Sequence, residues 1–125
     1  MALDVMIVDD SAAIRKILQR MLRQSGVAIG EVWEAADGFE ALEVLKQSRV
    51  GLVLSDLNMP NMDGLQLLGE IRSNREWRHV PVIIITTEGG ENKVMEAVHR
   101  GASGYVRKPF TSEQIKQKLM AVLSS

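Results

Sequence analysis

Gly51-Leu52-Val53-Leu54-Ser55-Asp56-Leu57-Asn58-Met59-Pro60 passes from an unbroken apolar run into an acid, an amide and a proline. Successive side chains on a strand point to opposite faces, so a strand with one wet face alternates apolar with polar. Leu52-Val53-Leu54 does not alternate and reads as a strand buried on both faces. That predicts a strand over Gly51–Ser55 with Asp56 delivered at its carboxyl end. Val82-Ile83-Ile84-Ile85 has the same character and predicts a strand over Val82–Thr86. Leu3–Val8 and Gly104–Arg107 are two more. Glu31–Ala35, the weakest of the five, suits an edge.

Helical periods fill the intervals. Ile14, Ile17, Leu18, Met21 and Leu22 recur at helix spacing, with Gly26 as a stop. Asp37 and Glu40 form a D-x-x-E start for a helix carrying Ala41, Leu42 and Leu45. Asp63 caps a third, with Leu65, Leu68 and Ile71. Gly89-Gly90 opens a fourth, with Val94, Ala97 and Val98, ending at Gly101. Thr111 and Gln114 make a T-x-x-Q capping box for a fifth, whose Ile115, Leu119, Val122 and Leu123 face inward. Each cap contributes about 1 kcal/mol, enough to punctuate a helix but not to choose a fold.

Five βα units in series imply an α/β fold: a parallel sheet with helices on both faces and right-handed crossovers. The 125 residues suffice for one domain, expected over 1–125. Fifteen basic against sixteen acidic residues give a net charge of -1, unlike a nucleic-acid coat. No cysteine is present, so thiolate metal sites and cysteine nucleophiles are excluded. No apolar run approaches the length of a membrane span, and no signal-peptide pattern opens the chain, so the expectation is a cytoplasmic protein without membrane partners.

In open α/β sheets, ligands bind beyond the carboxyl ends of the strands. There the first strand delivers Asp9-Asp10, the third Asp56, the fourth Thr86-Thr87 and the fifth Lys108-Pro109. Core packing asks for none of these. One aspartate at a strand–helix junction is as readily a helix cap, and Asp10 or Ser11 can each serve the first helix. Three carboxylates on one edge with a lysine are a different matter, because carboxylates repel unless a cation joins them. Magnesium suits this set: Asp9, Asp10 and Asp56 as carboxylates, with the Asn58 backbone carbonyl added. An EF-hand reading of Asp56-x-Asn58-x-Pro60 fails, because Pro60 takes an oxygen-ligand position and the loop glycine is missing. A carboxylate can attack phosphorus and hold the phosphoryl group as an acyl phosphate. Its oxygens would then be shared among the metal, Lys108, the Thr86 hydroxyl and backbone N–H groups after Asp56.

Val8-Asp9-Asp10-Ser11, Ser55-Asp56-Leu57-Asn58-Met59-Pro60, Asp63-Gly64, Thr86-Thr87-Glu88 and Gly101-Ala102-Ser103-Gly104-Tyr105-Val106-Arg107-Lys108-Pro109-Phe110 together resemble the receiver domains of two-component signalling. The resemblance spans essentially the whole chain. It implies a flavodoxin-like (βα)5 fold with strand order 2-1-3-4-5. It implies Asp56 as phospho-acceptor, Asp9 and Asp10 as metal ligands, Thr86 as switch hydroxyl, Lys108 as phosphate contact and Tyr105 as aromatic switch. It also implies a histidine kinase as donor, and a downstream protein bound through helix 4, strand 5 and helix 5 by a monomer or weak dimer. Asn58, Glu88 and the Gly-Ala-Ser-Gly-Tyr segment are most similar to stand-alone chemotaxis receivers, where residues at those places tune dephosphorylation. Leu57, not an aromatic, and Gly89-Gly90 depart from that group, which puts the flagellar motor as target in question.

The output face so implied contains Val94, Met95, Val98, Tyr105, Lys116 and Lys118. Val94 and Val98 read more simply as core. Trp33 and Trp77 read as packing, and His79 and His99 receive no catalytic role. A phosphohydrolase with Asp56 as nucleophile would want a second acid where Asn58 stands. A nucleotide or flavin carrier would want a Gly-rich phosphate loop, and no such sequence occurs. A receiver cut from a longer DNA-binding regulator is the other alternative.

Overall fold

A computed structural model describes residues 2–87 and 91–124. Five strands and five helices alternate: β1 (Leu3–Val8), α1 (Ala12–Gln24), β2 (Ile29–Ala35), α2 (Gly38–Gln47), β3 (Leu52–Asp56), α3 (Gly64–Ser73), β4 (Val82–Thr86), α4 (Glu91–His99), β5 (Gly104–Arg107) and α5 (Ser112–Leu123). The strands form one parallel sheet in the order β2-β1-β3-β4-β5. This is the expected (βα)5 architecture, with β2 at an edge. β2 begins at Ile29, earlier than its apolar pattern suggested, because Leu3 pairs with Ile29 across a register shift.

Alternation across the sheet divides the core in two. Val5, Ile7, Leu52, Leu54, Ile83, Ile85 and Val106 face Leu18 and Leu22 of α1 and Ile115 and Leu119 of α5. Met6, Val8, Val53, Val82 and Ile84 face the other way, onto Ala41 and Leu45 of α2, Leu67, Leu68 and Ile71 of α3, and Ala97 of α4. β3 and β4 are buried along their whole length, as unbroken apolar runs require. Trp33 and Trp77 pack against the second layer, in keeping with their reading as packing residues.

Four helices start at caps visible in the sequence. Ser11, not Asp10, caps α1 and accepts the Ile14 N–H. Asp37 caps α2, and Asp63 with Gln66 and Thr111 with Gln114 form full capping boxes. In α2 the Glu40 carboxylate takes the Ala36 N–H instead of the cap's own, so D-x-x-E is half a box. Gly26 and Gly101 both adopt positive φ, as helix stops require. The Gly89-Gly90 helix opening lies outside the described residues.

Three apolar assignments need correction. Val98 and Leu123, expected inward, are 48% and 45% exposed, and Ile17 of the α1 stripe is 40% exposed. Each lies toward the edge of its helix's apolar stripe, and the sheet covers only the middle.

Candidate functional site

Register brings the carboxyl ends of the central strands together: Val8 pairs with Ser55, and Asp56 with Ile85. The residues that follow gather at one edge. Asp9 and Asp56 are buried and Asp10 is exposed, and one carboxylate oxygen from each lies within 4.8 Å of the others. Lys108 arrives from beyond β5, its Nζ 3.2 Å from Asp9 Oδ2 and 3.5 Å from Asp56 Oδ2. The Lys108–Pro109 peptide is cis.

Two of the three carboxylates are also held by backbone. Asp9 Oδ1 accepts the Ser11 N–H at 2.9 Å, and Asp56 Oδ1 accepts the Asn58 N–H at 3.4 Å. The loop carrying Asn58 is fixed by Leu57, whose N–H donates to Ile85 and whose carbonyl accepts from Gly64. Gly64 has to be glycine: a Cβ there would meet the Asp56 carbonyl oxygen and lie 2.8 Å from Leu57 Cα. That close approach seats α3 against the loop after Asp56.

Burial raises the Asp56 carboxyl above the usual range; Lys108 opposes this and Asp9 adds to it. Among the described residues, one ammonium, that of Lys108, pairs with two members of the three-carboxylate cluster, so the pocket is short of positive charge. Hard oxygen donors in such a cluster suit magnesium, and the chemistry of the donor set fits that ion. Thr86 is buried, with its hydroxyl donating to the Thr87 carbonyl at 3.3 Å. Tyr105 is partly exposed on β5, and Lys118 of α5 sits 5.3 Å from its ring centroid. Glu88 lies outside the described residues.

Two residues at this edge make contacts that had no signal in the sequence. Arg15 of α1 donates to the Asp9 carbonyl at 2.6 Å and to Glu34 of β2 at 2.9 Å, fastening the β1–α1 turn to the neighbouring strand. Lys93 of α4 donates to Asn58 Oδ1 at 3.3 Å. The bonds to Glu34 and to Asn58 join segments 19 and 35 residues apart. A surface cleft of about 660 Å³ between residues 45–50 and 75–80 lies at the opposite end of the strands and is lined by none of Asp9, Asp10 and Asp56.

The response regulator receiver domain family matches residues 5–120. The chemotaxis protein CheY-3 of Vibrio cholerae is 41% identical over 115 residues, covering 92% of this chain and 87% of that protein. The solved structure of the chemotaxis response regulator CheY4 of Vibrio cholerae superposes with a TM-score of 0.87 at 34% identity, over 98% of this chain and 99% of that one. The receiver domain of a sensor histidine kinase from Pseudomonas aeruginosa, solved with a magnesium ion coordinated in its active-site cleft, gives 0.86 at 26% identity over 100% of both chains. Among the described residues no helix is long and apolar enough to cross a membrane.

Proposed function

The chain belongs to the response regulator receiver domain family of two-component signalling, and from that premise we propose that Asp56 is its phospho-acceptor. The observation that carries this is the Lys108 ammonium lying between the Asp9 and Asp56 carboxylates in a three-acid cluster. A lysine so placed neutralises charge on an incoming phosphoryl group and on the carboxylate that attacks it. The donor is a histidine kinase. One Asp56 oxygen forms the new P–O bond as the donor's P–N bond breaks; the electron pair leaves with the imidazole nitrogen, which takes up a proton.

Lys108 holds one phosphoryl oxygen, the Asn58 N–H is already directed at the acceptor carboxylate, and the Thr86 hydroxyl exchanges its bond to Thr87 for one to the phosphoryl group. Magnesium, held by Asp9, Asp10, Asp56 and the Asn58 backbone carbonyl, would neutralise charge on the transferring group. The magnesium-bound receiver from Pseudomonas aeruginosa supports that choice of ion. Asn58 and Glu88 tune the return reaction, in which water attacks phosphorus and Asp56 leaves as carboxylate.

The output is protein binding through α4, β5 and α5, with Thr86 and Tyr105 as the switch pair. Exposed Met95, Val98, Tyr105 and Met120 on these elements support that face. The chemotaxis relatives favour a partner in that kind of pathway. Residues 1–125 act as one receiver domain, as a monomer or weak dimer in the cytoplasm, where a kinase phosphorylated from ATP would meet it. A hydrolase reading is not favoured, since Asn58 carries no titratable proton.

Incubation with magnesium and acetyl phosphate, read by intact mass, tests this. One phosphoryl adduct that requires magnesium and fails to form on Asp56→Asn is expected. Absence of an adduct on folded wild type contradicts the proposal.

A further inference from the structure

Lys93 lies in the first turn of α4, and its ammonium is 3.3 Å from Asn58 Oδ1. An ammonium only donates, so the contact decides which end of the carboxamide it meets: the oxygen faces Lys93 and the NH2 group faces away. The Asn58 backbone is meanwhile held beside the acceptor by its N–H to Asp56 Oδ1. A carboxamide helps a water attack phosphorus through its oxygen, which accepts a water hydrogen and leaves a lone pair aimed at the phosphorus. An NH2 group would engage that lone pair instead.

We propose that Lys93 is a positioning residue that restrains self-dephosphorylation by occupying Asn58 Oδ1, so that the placement of α4 sets the phosphoryl lifetime. This rests on the reading of Asp56 as acceptor and Asn58 as water-orienting group. In the hydrolysis a water oxygen forms the new bond to phosphorus, the bond to Asp56 breaks with its electron pair on the carboxylate, and the water's proton passes to phosphate or solvent. Lys93 takes one of the two lone pairs of Asn58 Oδ1 and holds the carboxamide toward α4, so the oxygen turns to a water at phosphorus only when Lys93 withdraws. Movement of the first turn of α4 away from the loop after Asp56 therefore shortens the lifetime, and a partner that holds this turn in place lengthens it.

The test follows acyl phosphate decay by intact mass after donor removal, in magnesium buffer. Wild type, Lys93→Met, Lys93→Arg, Asn58→Ala and the Lys93→Met/Asn58→Ala double variant are compared. Lys93→Met should decay roughly two- to tenfold faster, the scale of one modest hydrogen bond. Lys93→Arg should restore the wild-type rate, and Lys93→Met should have no effect once Asn58 is alanine. An unchanged or slower Lys93→Met, or an acceleration that persists in the Asn58→Ala background, overturns the assignment. An adduct with unaltered decay refutes only the role of Lys93. Failure of wild type to form any adduct removes the reading of Asp56, and this proposal with it.

Discussion

At the scale of single residues, Asp56 sits where burial disfavours its charge. Burial raises its carboxyl above the usual range, Lys108 offsets part of that, and Asp9 reinforces it. A carboxyl with a raised folded pKa contributes stability below its unfolded pKa and loses it as pH rises through the folded value. At neutral pH the ionised group therefore destabilises the metal-free protein. Asp56→Asn should melt several degrees higher than wild type in chelator at pH 7, with the gap narrowing at acid pH and on adding magnesium to wild type. Equal melting temperatures in chelator would contradict this. The acids and Lys108 were legible because strand ends gather at one edge in any sheet of this topology, and residue type did the rest. Arg15 was not legible, because its reach from Asp9 to Glu34 depends on a side-chain path across two elements. Gly64 was legible only as part of a motif; its reason, the approach to Leu57, is visible only in three dimensions.

Helices and strands follow more local rules, and their ends were correspondingly readable. Ser11, Asp37, Asp63 and Thr111 all cap where a short polar side chain precedes an apolar period. Burial was less readable: the same periodic Val98 and Leu123 serve equally as core or as a face left open, and only packing separates the two. Asp37 carries a testable load. Its carboxyl is held below the usual range first by the Glu40 N–H and then by the Asn61 side chain, which reaches it at 2.8 Å from a residue with positive φ. A lowered pKa contributes stability above the unfolded pKa that is lost as pH falls through the folded one. Asp37→Ala should cost about 1–2 kcal/mol in urea unfolding at pH 7, and less below about pH 4. Asp37→Asn, which keeps a cap acceptor, should lose less. A cost that does not shrink in acid would contradict the assignment.

Across the whole molecule, the sheet sets the acidic edge at one end and spreads α4, β5 and α5 along one side, so the proposed switch carries a signal from Thr86 at the end of β4 to Tyr105 on β5. Those strands are in direct register, with Ile84 beside Tyr105 and Thr86 beside Arg107. Moving a two-state equilibrium from 1:99 to 99:1 takes about 5.5 kcal/mol. A hydroxyl bond to a charged group supplies about 1.5–3 kcal/mol. Phosphorylation alone should therefore leave both arrangements of Tyr105 populated, with a binding partner completing the shift. Ring resonances of Tyr105 in the phosphorylated protein should sit between the two limits and move further on adding partner; full conversion without partner would contradict this.

All of this depends on where the phosphoryl group resides. Borohydride reduces an acyl phosphate of aspartate to homoserine, and peptide mass spectrometry then locates it. After incubation with magnesium and acetyl phosphate, homoserine should appear at position 56 and not at positions 9 or 10, and should disappear when magnesium is chelated beforehand. Homoserine at position 9 or 10 in wild type, or none in a protein that has gained a phosphoryl mass, would contradict Asp56 as the acceptor.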